Sequence, residues 1–264
     1  MKVRLGAVSF LNTRPLTVAL EGADTPFALS YAVPAVCADE LRAGRVDLGL
    51  IPAIEYARSP EPYSIVPGVS LACRGEVLSV RLFSQKEMSQ LRRVALDQSS
   101  RASAALLRIL LREKYHLDPE FIETPPDLDL MLAQADAALL IGDPVFSQRH
   151  RPSLDLGQMW LELTDLPFVF AFWAGRLEAL PPHLAAALVR AKEEGLQRIP
   201  AIAREHAAQH GGEAAFYQRY LEQHMHFELG EAELAGLREY YRLAQVHGQI
   251  QAVPELRFYE STDP

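Results

Sequence analysis

The stretch FVFAFWAG, residues 168–175, is apolar throughout and rich in aromatic residues, which is typical of a strand buried on both faces. A second extended stretch, SVRLFSQ at residues 79–85, precedes it in the chain. We interpret the two as crossover strands that carry the chain from one lobe to another and back. The sequence therefore predicts a two-lobed protein, with residues 1–83 and 174–264 in the first lobe and residues 84–173 forming the inserted second lobe.

Short apolar runs alternate with helical patterns through the first two thirds of the chain, and helices dominate after Pro181. The apolar runs predict strands over residues 3–10, 28–32, 46–52, 78–84, 93–96 and 137–141. Helical spacing predicts helices over residues 15–21, 36–43, 103–115, 183–210, 213–224 and 230–247, and Pro200 should kink or break the helix that contains it. This order predicts an α/β fold in which each lobe has a central, mainly parallel sheet flanked by helices, with a ligand cleft between the lobes.

The composition is that of an ordinary globular protein. The 264 residues are 49% hydrophobic and carry a net charge of −8, so we expect no nucleic-acid partner, which would need a basic face. There is no secretory signal and no apolar run of the roughly 18 residues that span a membrane, so a cytoplasmic protein without a membrane partner is expected. Cys37 and Cys73 are expected as buried thiols, although the sequence leaves a disulfide between them open. The dispersed histidines predict no metal site.

In parallel α/β units, ligands meet the carboxyl ends of strands and the N-termini of the following helices, whose free N–H groups favour anions. At the first such end, VSFLNTRPL (residues 8–16), Ser9, Asn12 and Arg14 crowd together. The Asn12 amide offers a donor and an acceptor, and Arg14 could hold a carboxylate with two hydrogen bonds. Thr13 is a further candidate contact, although helix capping explains it equally well.

Two later stretches are more ambiguous. In GRVDLGLIPAIEY (residues 44–56), we expect Glu55 at a solvated helix position rather than a catalytic one. In VPGVSLACRGEVLSVRLFS (residues 66–84), Glu76 and Ser79 interrupt an apolar run. This pattern fits either a ligand site or a β-hairpin with its polar face in water, and the hairpin is slightly favoured.

Hydroxyl groups follow the strand in LDQSSRASAALL, residues 96–107. Either Ser99 or Ser100 would serve as a helix cap. We favour a functional interpretation, in which Ser99, Ser100, Arg101 and Ser103 form an anion site at the helix N-terminus.

In ALLIGDPVF (residues 138–146), Gly142 and Asp143 follow a wholly apolar strand. Asp143 either caps the next segment or faces the cleft, and the sequence leaves both open. Trp160 and Trp173 are typical core residues, but their place near the inferred hinge would allow either to line the cleft. The chain lacks the GxSxG, P-loop and GxGxxG patterns, and its strand-end turns do not indicate a Cys–His or Ser–His nucleophile.

Five stretches together resemble the chorismate dehydratases of the futalosine route to menaquinone. They are VSFLNTRPL, VDLGLIPAIEY, LDQSSRASAALL, LLIGDP and DLGQMWLELTDLPFVFAFW, and they occur in this order. The match covers most of residues 3–175, and the helical last third adds little to it. One departure is Ala102, where the family often has Thr. The resemblance implies a type II periplasmic-binding-protein fold used as an enzyme.

The resemblance also implies dehydration of chorismate to 3-[(1-carboxyvinyl)oxy]benzoate without a metal or organic cofactor. Chorismate is a dianion, so we expect Arg14, Arg101 and two helix N-termini to supply positive potential. Asn12 is the expected catalytic donor, to the leaving hydroxyl or to a carboxylate.

Contacts with the substrate are expected from the polar groups at the strand ends, namely Ser9, Thr13, Arg14, Ser79, Ser99, Ser100, Arg101, Ser103 and Gly142. Asp143 and Glu76 are candidates for the acid or base. Neither is compelling, and our hypothesis is that a carboxylate of the substrate acts as the base.

Two alternatives to this function stay open. One is a solute-binding protein for an aromatic or small carboxylate ligand, which would have the same fold but carry an export signal. The other is the sister enzyme that makes dihydroxynaphthoate, although its opening turn differs from FLNTRPL. The sequence does not decide the oligomeric state, a homodimer included.

Overall fold

A computed structural model describes residues 2–22 and 24–260. Its strands are β1 (Val3–Val8), β2 (Phe27–Ala32), β3 (Leu48–Pro52), β4 (Ser64–Cys73), β5 (Val80–Ser84), β6 (Arg93–Asp97), β7 (Glu120–Thr124), β8 (Ala137–Ile141), β9 (Ser153–Asp155) and β10 (Phe168–Gly175). Its helices are α1 (Arg14–Thr17), α2 (Pro34–Arg42), α3 (Ala53–Arg58), α4 (Arg101–Tyr115), α5 (Leu128–Gln134), α6 (Pro144–Ser147), α7 (Leu156–Thr164), α8 (Pro182–Gln197), α9 (Ile199–His210), α10 (Ala214–Arg219) and α11 (Glu231–Val246). Three 3₁₀ turns at Leu11–Thr13, Met88–Gln90 and Leu177–Ala179 and a π-helical segment at Tyr220–His224 lie between them.

The strands form two mixed sheets of five strands each. The first has the order β2-β1-β3-β10-β4 and the second β7-β6-β8-β5-β9. In each sheet, four strands run in the same direction and one strand is antiparallel to its neighbours. The antiparallel strand is β10 in the first sheet and β5 in the second. The predicted α/β fold with two mainly parallel sheets is confirmed.

Some elements differ from the sequence prediction. The favoured hairpin over residues 66–84 is wrong, because β4 and β5 belong to different sheets. The helix predicted over 183–210 is two helices, α8 and α9, and Pro200 lies in the first turn of α9, where its missing N–H costs no hydrogen bond. Several elements, among them β7, β9, α5, α6 and α7, have no counterpart among the ranges predicted.

The two sheets show where the chain passes between the halves of the molecule. Because β5 lies in the second sheet and β10 in the first, the chain crosses over residues 74–79 and again over 156–167. The lobe boundaries predicted at residues 83/84 and 173/174 therefore fall inside β5 and β10, the strands that follow the two crossings. The division into lobes stays a prediction, and the sheets favour limits near residues 79 and 167.

The carboxylate of Asp155, at the end of β9, ties the two crossings together. Its Oδ2 accepts the N–H of Leu78 at 2.8 Å, and its Oδ1 accepts the N–H of Val77 at 3.0 Å. Oδ1 also accepts the N–H groups of Gly157 at 3.0 Å and Gln158 at 3.2 Å, which caps α7. One buried side chain thus satisfies donors from both crossings.

The first crossing contains a strained turn at Leu78. The residue has φ of +62°, and the N–H of Ser79 donates to the Val77 carbonyl at 2.8 Å. This is the γ-turn of positive φ, which is rare and costs free energy in a residue with a side chain. The bonds from Asp155 to Val77 and Leu78 hold the turn, and the turn sets the position of Ser79.

The second crossing packs directly on the first at Gly157. A Cβ there would lie 2.4 Å from the carbonyl oxygen of Gly75 and 2.6 Å from Sγ of Cys73. Any side chain would therefore separate α7 from the first crossing, which explains the glycine at this position.

The interior is apolar on both sides of the crossings. Trp160 and Trp173 are fully buried in the core, and neither lines the cleft described below. Cys37 and Cys73 are buried free thiols, so the disulfide that the sequence left open is absent between these two described residues. Over residues 2–22 and 24–260, no helix is both long and apolar enough to span a membrane.

A second tie joins the halves at the end of β8. Both carboxylate oxygens of Asp143 accept a hydrogen bond from the N–H of Leu11, at 3.0 and 3.1 Å. Burial raises the pKa of Asp143 to about 6, and the Leu11 N–H and the nearby His210 oppose that rise. Because Leu11 follows β1 and Asp143 follows β8, this contact spans the two sheets.

We expect Asp155→Ala to lower the free energy of unfolding by about 3 kcal/mol, because four N–H groups, two of them fully buried, lose their acceptor. Urea denaturation measures the change. The control is Asp165→Asn, at a side chain that is 92% exposed, where a change under about 0.5 kcal/mol is expected. Equal losses in the two variants would show that Asp155 has no special part in holding the crossings.

The raised pKa of Asp143 predicts a pH dependence of stability. Between pH about 4 and 6 the folded protein holds a proton on Asp143 that the unfolded chain releases, so this contribution to stability falls as the pH rises. The stability of the wild type relative to Asp143→Asn should therefore decline from pH 4 to 7, measured by urea denaturation at each pH.

The matched control for that experiment is Asp136→Asn. A hydrogen bond from Lys86 and two backbone N–H groups lower the pKa of Asp136 to about 2, so its titration in the folded protein lies below the tested range. The difference between wild type and this variant should therefore stay nearly level from pH 4 to 7, with a slight rise near pH 4, where the unfolded chain titrates. A level difference for Asp143→Asn as well would contradict the account of Asp143.

Candidate active site

A cleft at the junction of the two sheets is lined by residues of both. Three of the lining residues are the last residues of strands. Val8 ends β1 and Pro52 ends β3, both in the first sheet, and Ile141 ends β8 in the second. The cleft therefore lies at carboxyl ends of parallel strands, which is the common ligand position in α/β folds.

The cleft brings together six of the residues singled out in the sequence. They are Asn12, Ser79, Ser100, Arg101, Ser103 and Gly142. The remaining wall is mostly apolar and includes Phe10, Leu71 and Phe170, which the sequence analysis did not select. A planar hydrophobic ligand with a few polar groups suits such a mixture of surfaces.

The N-terminus of α4 supplies the strongest anion-binding feature. Ser100 occupies the N-cap position in an extended conformation, and its side chain caps no N–H group of the described helix. The first-turn amides of a helix lack acceptors within the helix, and the helix dipole adds positive potential there. With the Ser100 and Ser103 hydroxyls beside them, these amides can bind a carboxylate.

The contacts of Arg14 and Arg101 differ from those expected of side chains that pair with a dianion. The Arg101 guanidinium donates to both oxygens of Asp39, at 2.9 and 2.8 Å, and to Glu55 at 3.0 Å. Arg14 is paired with Glu21. Both guanidinium groups are therefore already engaged by protein carboxylates, and the helix amides remain as donors for a ligand.

Glu55 is the buried centre of that charge network. It receives hydrogen bonds from Arg42 at 2.9 Å, Arg58 at 3.3 Å and Arg101 at 3.0 Å. The expected solvated position is wrong, since its side chain is only 5% exposed. Three guanidinium groups offset the cost of burying the carboxylate, and the network anchors the start of α4 to α2 and α3.

The lining of the cleft also includes Asn12, the only asparagine in the chain, and Ser79. The buried hydroxyl of Tyr220 donates to Oγ of Ser79 at 2.9 Å. Burial raises the pKa of Tyr220 well above its ordinary value, and hydrogen bonds with Ser79 and Asn12 oppose that rise. The sequence analysis missed Tyr220, because nothing in the helical pattern of the last third distinguishes it from a core residue.

Gly142 serves the cleft through its lack of a side chain. Its φ is +72°, and a Cβ there would lie 2.7 Å from the ring of Phe10. The ring can therefore pack against the backbone at the end of β8 only because this residue is glycine.

Several predicted contacts lie outside the cleft. Ser9, Arg14 and Asp143 line a neighbouring groove with His206 and His210. The structure thus separates these three from the groups at the N-terminus of α4, and Asp143 is occupied by the N–H of Leu11.

The other three lie in the walls or at the surface. Thr13 is fully buried behind Asn12, and its hydroxyl makes only a long contact, 3.5 Å, to the Asn12 side chain. Ser99 donates to the buried Asp97 at 2.6 Å. Glu76 is exposed, away from the cleft. In the part of the chain that the structure describes, no three His, Cys, Asp or Glu residues cluster as metal ligands would.

Known proteins resemble this chain over nearly its whole sequence. The sequence pattern of a family described as "Menaquinone biosynthesis" matches residues 3–246. A chorismate dehydratase from Thermus thermophilus is 33% identical over 258 residues, covering 89% of this chain and 93% of its own length.

Solved structures share the fold at low identity. Protein AF1704 from Archaeoglobus fulgidus superposes with a TM-score of 0.76 at 19% identity, covering 94% of this chain and 98% of its own. The periplasmic aliphatic sulphonate-binding protein SsuA from Escherichia coli superposes with a TM-score of 0.66 at 18% identity, covering 100% and 93%. These likenesses show the periplasmic-binding-protein fold, and the match over nearly the whole sequence shows that the chain belongs to the menaquinone biosynthesis family.

Proposed function

We propose that this protein is a chorismate dehydratase of menaquinone biosynthesis. It would be a hydro-lyase that converts chorismate to 3-[(1-carboxyvinyl)oxy]benzoate and water in the cleft between the two sheets. The observation that carries the proposal is the cleft itself, with one anion-binding helix N-terminus, a wall of neutral donors and no lining acid among the described residues. The 33% identity to a chorismate dehydratase supports the choice of substrate.

The cleft suits chorismate in polarity. Phe10 and Phe170 offer apolar surface to the ring, while the amides at the start of α4 offer donors to a carboxylate. The donors are neutral groups held on rigid elements, which favours a fixed orientation of the substrate.

The reaction removes the ring proton beside the enol ether and expels the neighbouring hydroxyl, which leaves with a proton as water. The conjugated ring carboxylate acidifies that proton through the diene. The product ring is aromatic, so the driving force is large. The protein must therefore orient the substrate and stabilise developing charge, and Asn12 is placed to donate to the leaving hydroxyl or to a carboxylate.

The lining of the cleft supports a base that belongs to the substrate. Among the described residues that line it, none is Asp, Glu, His, Lys or Tyr. The two carboxylates that the sequence suggested lie elsewhere, Glu76 at the surface and Asp143 bonded to Leu11. We infer that a carboxylate of chorismate takes the ring proton, as neither an external acid nor a cofactor is needed for the atoms to balance.

The buried free thiols of Cys37 and Cys73 support the cytoplasm as the place of this reaction, because thiols persist in a reducing compartment.

The direct test mixes the purified protein with chorismate and follows the absorbance of the diene, with the product identified by mass spectrometry. We expect many turnovers per protein molecule, unchanged by a chelator. Binding of one equivalent without product would instead indicate a solute-binding protein, and a different product would indicate another enzyme.

We expect Asn12→Asp to lower kcat/KM by about 100-fold or more, because an amide donor of the same shape becomes a carboxylate beside a dianion. Steady-state kinetics measure the loss, and circular dichroism checks the fold. Glu76→Gln provides the contrast, since this exposed side chain lies away from the cleft and its activity should stay within about twofold. If Glu76→Gln were inactive and Asn12→Asp active, the roles assigned to these residues would be reversed.

A further inference from the structure

The helical last third of the chain contributes one polar group to the back of the cleft. Tyr220 begins the π-helical segment Tyr220–His224, a rare conformation that is often found at functional sites. Its ring packs edge-on against Phe146 of α6, with centroids 4.9 Å apart. Its hydroxyl therefore reaches Ser79 from a position that is buried on every side.

The direction of the hydrogen bonds decides what Ser79 can do. A serine hydroxyl has one proton to donate and two lone pairs to accept with. Oγ of Ser79 accepts from Tyr220 at 2.9 Å, so its own proton remains for a different acceptor. The Val77 carbonyl is 3.4 Å away, which is a long bond, and a substrate oxygen in the cleft would be the better acceptor.

Asn12 belongs to the same hydrogen-bonded group. Hydrogen bonds with Asn12 and Ser79 both lower the pKa of the Tyr220 phenol, against the rise that burial causes. Tyr220 thus links Asn12 and Ser79, and both of these residues line the cleft. Hydrogen bonds linked in this way strengthen one another.

We propose that Tyr220 is a positioning residue of this cleft, whose hydroxyl holds Ser79 as a hydrogen-bond donor toward a substrate oxygen. The proposal rests on the proposed function for the identity of that oxygen. Phenylalanine would keep the ring packing but leave Oγ of Ser79 without its donor, and the serine hydroxyl would then be free to rotate away from the ligand.

The test compares Tyr220→Phe with Tyr217→Phe in the steady-state conversion of chorismate. Tyr217 also packs on Phe146, but its hydroxyl donates at 3.0 Å to the carbonyl of Gly211, a residue that does not line the cleft, whereas the partner of Tyr220, Ser79, does. We expect kcat to fall about tenfold or more for Tyr220→Phe, with KM changed less than about threefold, and no loss for Tyr217→Phe. Equal effects in the two variants would overturn the proposal.

A double-mutant cycle separates positioning from structural support. Ser79→Ala alone should lose activity to a similar extent, and adding Tyr220→Phe to it should cost less than about threefold more. Full activity of Ser79→Ala would overturn the proposal even if Tyr220→Phe failed to fold. Additive losses would show that Tyr220 acts independently of Ser79.

A protein that does not convert chorismate would refute the proposed function without deciding the role of Tyr220. Crystal structures of the wild type and Tyr220→Phe would then decide it. Displacement of Oγ of Ser79 in the variant by more than about 0.5 Å, or a changed rotamer, is expected. An unmoved Ser79 would overturn the proposal.

Discussion

One buried carboxylate, that of Asp155, holds the two places where the chain passes between the sheets. It accepts N–H groups from Val77 and Leu78 on one crossing and from Gly157 and Gln158 on the other. Without it, the strained turn at Leu78 would have no local compensation, and Ser79 would lose its fixed position beside the cleft. The contact explains why a chain that crosses twice between sheets can still present a site with defined geometry.

The electrostatics of the cleft come from backbone rather than from free side-chain charge. Both arginines near the strand ends are paired with carboxylates, and Glu55 collects three guanidinium groups in a buried network. That network fixes the start of α4, whose amides then face the cleft with the helix dipole behind them. Neutral donors of this kind bind a dianion without a large desolvation cost of their own, since a free guanidinium would have to lose its water.

Most of the strands and half of the site follow from local patterns. The apolar run of β10, the turn at Asn12 and the serines at the start of α4 can be recognised because strand ends and helix N-termini have local signatures. Pairing cannot be recognised in this way: the partners of Arg101 are Asp39 and Glu55, 62 and 46 residues away. Tyr220 lies 141 residues from Ser79, and the short strand β9 is visible only through its pairing with β5. Contacts of this range depend on the complete fold.

The central claim is that a ligand carboxylate is bound by helix amides and not by arginine. The most direct measurement is a crystal structure of the Asn12→Asp variant, in which turnover is slow, with chorismate bound. The account predicts a carboxylate oxygen within about 3 Å of the N–H groups of residues 101–103, with the ring against Phe170. A carboxylate seated instead on the Arg14 guanidinium, in the neighbouring groove, would contradict it.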